Sequence, residues 1–384
     1  MTACEQLSFL KEAHQTIIHG DCLEEMKKMP ENSIDFIVTD PPYGLSFMNK
    51  KWDAETPDVY LWKEALRVCK SGSMIAVFGG SRTHHRLMCA IEDAGFEIRD
   101  VIMWLYGSGF PKSHNKFGLP GYGTALKPAY EPIILAMKPL DGTYAQNAEK
   151  WGLAGINIDG CRIEFSSKQE AEKHAQEWDR NWTSSPIHAF DKETGNHPGA
   201  KRETGDGPRP QKGRWPANLL LDEESAEMMD QQSGILKSGI VKPYKRSTRD
   251  QYSGSFPDNI NDFPSSSGGA SRFFYCAKAS SRERNKGCEG MPLKPGGSNA
   301  KGFTKDVANG LDRNKPVANH HPTVKPISLM KYIIKLLAPP GNPICLDPFA
   351  GSGSTLVAAR ELGIDCIGIE KEEQYAEIAK ARIA

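Results

Sequence analysis

No stretch of this 384-residue chain is apolar over enough length to cross a bilayer. The first ten residues include Glu5 and lack the basic start and apolar core of a secretion signal, which predicts a cytoplasmic protein. There is no Cys-x-x-Cys pair among the nine cysteines, so a cysteine zinc site has little support. Cys276, Cys288, His320 and His321 lack the paired short knuckles of such a site, and no metal is expected. Cys345 and Cys366 sit inside apolar runs, as buried thiols do, rather than in a disulfide framework. Net charge is also absent: 48 Lys and Arg balance 48 Asp and Glu. That argues against a general polyanion binder but hides an asymmetry, because residues 231–315 hold 15 Lys and Arg against 7 Asp and Glu. A local excess of this size can meet phosphates or can simply be a solvated loop surface.

Three textures follow one another along the chain. Up to about Pro139, apolar runs alternate with amphipathic stretches. Strands are predicted at 16–19, 34–39, 73–78, 96–104 and 132–137, and helices at 22–29, 59–69 and 83–94. The run from Ile34 to Thr39 is largely apolar, as in a strand covered on both faces. Gly95 marks a helix end. From about 140 to 318 the chain is rich in Gly, Pro, Ser, Asn and charge, broken by apolar islands at Leu219-Leu220-Leu221 and Arg272-Phe273-Phe274-Tyr275. Its tryptophans (151, 178, 182, 215) argue against disorder throughout. From His320 the α/β texture returns, with helices predicted at 327–337, 354–362 and 372–382 and strands at 344–346 and 366–369. Alternation of this kind predicts an α/β fold with a mostly parallel sheet, assembled from both ends of the chain.

Two motifs carry chemistry. Asp347-Pro348-Phe349-Ala350-Gly351-Ser352-Gly353 follows a predicted strand and opens a helix. It is no Walker loop, since no Lys follows the second glycine, and Leu356 stands where a dinucleotide fingerprint needs its third glycine. The next strand ends at Glu370, where an acidic residue can accept hydrogen bonds from ribose hydroxyls. A glycine turn and a ribose acid without phosphate machinery suit an adenosine ligand that has no pyrophosphate; the plain alternative is an ordinary tight turn. The second motif is Asp40-Pro41-Pro42-Tyr43, directly after the apolar strand 34–39. An exocyclic amine on a base is a poor nucleophile because its lone pair is delocalised into the ring. The Asp40 carboxylate and the Pro41 carbonyl can accept from its hydrogens and push it toward a nucleophilic form. The prolines stiffen the loop, and the Tyr43 ring offers a stacking face for a base outside the duplex. The plain alternative is a proline-rich turn.

Taken together, Asp40-Pro-Pro-Tyr43 and Phe349-Ala-Gly-Ser-Gly353 resemble motifs IV and I of amino-group DNA methyltransferases. Their order, catalytic loop first and cofactor glycines last, resembles the β class, of prophage or restriction-modification type. His19-Gly20-Asp21-Cys22 resembles the segment whose acid contacts the cofactor adenine, and His321-Pro322-Thr323-Val324-Lys325-Pro326 resembles motif X. Gly123-Thr124-Ala125-Leu126-Lys127-Pro128-Ala129-Tyr130-Glu131-Pro132 is similar to the motif VIII region near the target-base pocket.

The resemblance implies a Rossmann-like methyltransferase sheet, circularly permuted, with catalytic parts at 1–139 and 319–384 and a target recognition region inserted at 140–318. It implies S-adenosyl-L-methionine as cofactor and double-stranded DNA as partner, and it leaves room for a cognate restriction endonuclease and a homodimer. Asp40, Pro41, Pro42 and Tyr43 would hold and activate the base. Asp347, Phe349, Gly351 and Gly353 would line the methionine and ribose side of the cofactor. Glu370 would bind the ribose, Asp21 the adenine amine, and Thr323 and Lys325 the methionine end. Lys245 and Arg246 are DNA-contact candidates by charge alone. Motif IV beginning with Asp leans to adenine N6, with direct transfer to a flipped base. The rivals are cytosine N4, an RNA base or protein amide, and a DNA-binding module with a decayed cofactor site.

Overall fold

The computed structural model of the chain describes residues 14–45, 53–107, 118–165, 213–237, 267–277, 283–295 and 316–384, with short pieces at 109, 113, 171, 187–188 and 199–200. Contacts divide the chain into two compact units. The first comprises Met1–Cys161, Asn218–Ser225 and Cys276–Ala384; the second comprises Arg162–Ala217 and Ala226–Tyr275.

Nine strands form the main sheet: β1 (Gln15–His19), β2 (Ile34–Thr39), β3 (Cys69–Phe78), β4 (Glu97–Leu105), β5 (Tyr130–Met137), β6 (Leu219–Asp222), β7 (Tyr275–Ala277), β8 (Ile344–Asp347) and β9 (Asp365–Glu370). Among the described residues eight helices accompany them: α1 (Cys22–Lys27), α2 (Val59–Val68), α3 (His84–Asp93), α4 (Tyr144–Trp151), α5 (Glu223–Ser233), α6 (Ile327–Leu337), α7 (Ser354–Glu361) and α8 (Glu373–Ile383). The strand order is β1-β9-β8-β2-β3-β5-β4-β6-β7. Pairing is parallel from β1 through β3 and between β4 and β6. It is antiparallel where β5 meets β3 and β4. The sheet is therefore mixed and mostly parallel. The apolar island 219–221 lies in β6 and pairs with residues 103–105 of β4, on the edge opposite β5.

Every residue of β2 is buried, as expected of a strand covered on both faces. Side-chain alternation sends Ile75 and Val77 of β3 into one core cluster and leaves the equally buried Met74, Ala76 and Phe78 outside it. That cluster also takes the apolar stripe of α2, namely Leu61, Trp62, Ala65 and Val68, spaced to share one helical face. Helix α1 packs on α2, and α2 on α3. Helix α6 lies over β2 and β3 and against α7, and α8 over β1. Helices α1 and α2 start where short polar side chains satisfy free amides: Asp21 accepts from Leu23 N, and Asp58 from Tyr60 N and Leu61 N. No helix among the described residues is long and apolar enough to cross a membrane.

In the second unit, residues 163–165, Arg214 and Arg272-Phe273 come together. Ile163 and Arg214 form a bridge. The Arg214 guanidinium donates to the Glu164 and Arg272 carbonyls, each at 3.1 Å, and lies 5.2 Å from the Phe165 and Phe273 ring centres. Asp230 accepts from the amide and hydroxyl of Ser271 at 2.8 and 2.7 Å. These contacts, gathered largely on Arg214, link separate segments of the unit.

Trp62 is completely buried in the core cluster that α2 shares with β3. Trp62→Ala is expected to destabilise the chain by about 3–5 kcal/mol. Denaturant midpoints measured for wild type and variant check this; a loss below 1 kcal/mol would contradict the packing described.

Candidate active site

Parallel pairing makes β8 and β2 neighbours, with Cys345 opposite Phe36 and Leu346 opposite Ile37. The turns that follow them therefore open side by side, although they lie at opposite ends of the chain. The connections diverge here, because β9 lies beyond β8 and β3 beyond β2. The carboxyl ends of strands at such a divergence form the crevice in which α/β sheets bind ligands. A cleft of about 1640 Å³ lies there. Asp21, Asp40, Pro41, Pro42, Tyr43, Thr323, Lys325, Asp347, Phe349, Gly351 and Glu370 all line it. Gly353 is outside the lining, and Lys245 and Arg246 lie outside the described residues.

On the glycine side, Gly351 has φ +52°, and a Cβ there would lie 2.9 Å from His321 Nε2. His321 is packed edge-on against Tyr375 at 4.5 Å, which closes this side of the turn. Burial drives its pKa down to about 3, helped by the charges of Lys325 and Arg284, so the ring is neutral. Gly353 has φ +77°, and its missing side chain admits Ala379 of α8. Its role is close packing beneath the turn. Glu370 ends β9, and its carboxylate accepts from Gly351 N at 2.8 Å and Glu372 N at 2.7 Å. Burial raises its pKa, partly offset by these two donors. Beside it, β1 pairs His19 with Glu370, which carries Asp21 to the cleft. Asp21 caps α1 and accepts from Lys371 Nζ at 3.0 Å.

Asp347 lines the cleft, yet its side chain is committed to the protein. It accepts from Thr39 Oγ1 at 2.6 Å, Thr355 Oγ1 at 2.5 Å and Phe349 N at 3.1 Å. Burial lifts its pKa to about 6 against these bonds, which lower it.

On the other side, the turn after β2 is braced from below. Asp53 is buried and accepts from the amides of Tyr43, Gly44 and Leu45 at 2.6, 3.1 and 3.3 Å. Thr83 Oγ1 donates to the Tyr43 carbonyl at 2.6 Å. The Tyr43 hydroxyl donates to Asp40 Oδ1 at 2.8 Å and lies 3.2 Å from Glu131 Oε2. Burial and these two carboxylates push its pKa well up, so it stays a neutral phenol.

Lys325 belongs to this group rather than to the glycine turn. Its Nζ is 2.5 Å from Asp40 Oδ2 and 3.3 Å from Glu131 Oε2. Burial alone would lower its pKa, but Asp40 and Glu131 outweigh burial and raise it. Glu131, Asp53, Thr39 and Thr355 were missed by sequence reasoning as site residues. Glu131 stands in the motif VIII-like segment, and an acid heading an apolar strand was the available signal.

The site thus offers a braced carboxylate loop with a phenol, a glycine turn closed by a neutral imidazole, and the Glu370 carboxylate at the end of β9, all in one crevice. The N6/N4 DNA methylase family matches residues 34–381 of this chain. DNA adenine methyltransferase YhdJ of Escherichia coli (strain K12) is 30% identical over 150 residues, which is 36% of this chain and 45% of the relative. Type II methyltransferase M2.LlaDCHI of Lactococcus lactis subsp. cremoris is 43% identical over 81 residues, 21% of this chain and 30% of the relative. The chain therefore spans less than half the length of either relative. Among solved structures, the PvuII DNA methyltransferase (cytosine-N4-specific) shares 14% identity at a TM-score of 0.44, covering 97% of this chain and 88% of that one.

Because the folded pKa of Asp347, about 6, exceeds its ordinary 3.8, the folded state holds this proton more tightly than the unfolded chain. This contribution to stability is present at low pH and is lost as pH rises from about 4 to 6, by about 3 kcal/mol at most. Asp347→Asn removes the titration. The stability of wild type relative to this variant should fall across that window and stay level above it, as measured by urea unfolding at stepped pH. A difference that does not change between pH 4 and 7 would contradict the assignment.

Proposed function

Since the chain belongs to the N6/N4 DNA methylase family, we propose that it transfers a methyl group from S-adenosyl-L-methionine to N6 of adenine in double-stranded DNA. The observation that carries this reading is that Asp40-Pro-Pro-Tyr43, Gly351, Ser352 and Glu370 border the same cleft. Asp at the head of the base loop favours adenine over cytosine N4, and the relative YhdJ is named an adenine methyltransferase. The order of the two motifs supports the permuted β arrangement.

The residues fit the cofactor. Glu370 presents a carboxylate whose two oxygens each take one backbone donor, which leaves further lone pairs for vicinal hydroxyls. Gly351 has no side chain to fill the cleft beside it. In this reading Glu370 holds the ribose, Asp21 the adenine amine, and Phe349, Gly351 and Thr323 the remaining surface of the cofactor. When bound, S-adenosylmethionine supplies an electrophilic methyl on a sulfonium sulfur. Tyr43 stacks on the flipped base. Asp40 accepts one N–H of its amino group and the Pro41 carbonyl the other, which localises the nitrogen lone pair toward the methyl. The bracing by Asp53 and Thr83 means that these acceptors need little reorganisation, which is where electrostatic catalysis gains most. The region 140–318, with the basic run 231–315, is assigned to DNA. Phosphate contacts there would set register, and a few side chains would read base edges.

Asp40→Ala is expected to lower turnover by about 10²–10³-fold while leaving cofactor binding near normal. Tritium transfer to unmethylated DNA and a cofactor titration check this, and unimpaired turnover would contradict the role of Asp40. Mass analysis of nucleosides from the treated DNA identifies the base: N6-methyladenine supports the proposal, and N4-methylcytosine replaces it with the cytosine reading. Neutralising Lys245 and Arg246 should reduce the slope of log affinity against log salt by roughly one per residue. An unchanged slope would assign them to solvation.

A further inference from the structure

The base loop is not vacant of partners as it stands. Oδ1 of Asp40 takes the Tyr43 hydroxyl and Oδ2 takes the Lys325 ammonium. A target amine must compete with those donors for the same carboxylate. Lys325 is almost fully buried and sits over the rings of Tyr43 and Phe78, at 5.4 and 5.1 Å from their centres. It cannot be released into that apolar surrounding, because an unpaired buried ammonium is severely penalised. The groups facing it are Asp40 from the end of β2, Tyr43 from the loop, and Glu131 from β5. Tyr106, after β4, also feels the charges of Glu131 and Lys325.

Resting on the function proposed above, we infer that Glu131 is a positioning residue, the counter-ion that takes over Lys325 when Asp40 turns to the target amine. The geometry suits an exchange. The ammonium is 2.5 Å from one carboxylate and 3.3 Å from the other, so a small swing of a flexible side chain changes its nearer partner. Two carboxylates against one ammonium leave one negative charge in the pocket, which an incoming N–H donor then meets. Glu131 approaches no reacting atom in this scheme. It acts through Lys325 by setting how firmly Asp40 is held.

The test uses the full chain, unmethylated genomic DNA and tritiated S-adenosylmethionine, under single turnover with enzyme in excess. Glu131→Gln keeps the shape but removes the second charge, so Lys325 stays on Asp40. The methyl-transfer rate should fall roughly 100-fold while the affinity for S-adenosylmethionine changes less than about twofold. Adding Lys325→Met to Glu131→Gln removes the competitor for Asp40, and should raise the rate at least about tenfold above the single variant. A purely structural role predicts the opposite, since the second substitution would only add damage. A wild-type rate in Glu131→Gln, or no recovery in the double variant, overturns the inference. If Glu131→Gln does not fold, Glu131→Asp keeps the charge at a longer reach and should be slowed in the same step; a wild-type rate there overturns it equally. A wild-type protein that methylates no DNA sinks the function itself, whereas active wild type beside an unimpaired Glu131→Gln sinks only the exchange.

Discussion

A hydrogen bond of 2.6 Å from Thr39 to Asp347 joins residues 308 positions apart, and the candidate site is built around it. Both groups are buried, Thr39 completely. In such surroundings a satisfied polar network is strong, and a broken one is costly. The other Asp347 oxygen takes Thr355 at the start of α7, and the main chain of Phe349 closes the turn. One carboxylate thus ties the end of β2, the end of β8 and the first turn of α7 into a single unit. The loop carrying Asp40 and the turn carrying Gly351 inherit their mutual placement from that tie.

Around this anchor the two banks of the cleft are built differently. The glycine bank is closed by neutral packing: a His321 ring without charge, Ala379 under Gly353, and amides directed at Glu370. The other bank gathers its charges into one cluster. Asp40 and Glu131 each lie within hydrogen-bond range of the Lys325 ammonium and of the Tyr43 hydroxyl. Burial makes each of these charges dependent on the others, whereas the backbone beneath is fixed by Asp53 and Thr83. A rigid frame that carries exchangeable charge partners suits a site that must grip a ligand only after the ligand has entered.

Much of the fold was legible because local periodicity and apolar runs report local structure. The strand 34–39 and the helix 327–337 appear at the predicted bounds. Other elements differ by a few residues at their ends: β3 begins at Cys69, where a polar stretch hid the first half of the strand. The antiparallel course of β5 was not legible, since an apolar strand reads the same in either direction and its partners, β3 and β4, are set by the sheet. In the candidate site, the types of residue were legible but not all their neighbours. Lys325 appeared in a segment associated with the cofactor, and the fold places it on Asp40. Glu131 stood in the motif VIII-like segment as an acid at the head of an apolar strand, with nothing nearby to show that it faces Lys325.

The sequence alone determined which chemistry was on offer: two short motifs whose residue types serve an exocyclic amine and an adenosine ligand, and the alternating elements that carry them. Local geometry sufficed for this, because turns, caps and stripes are written in adjacent residues. Only the tertiary structure decided that both motifs share one crevice, that Asp347 is spent on holding it together, and that Lys325 pairs with two carboxylates. Those outcomes depend on which distant strands exchange hydrogen bonds and on how buried charges find partners, and neither leaves a mark in the neighbouring sequence.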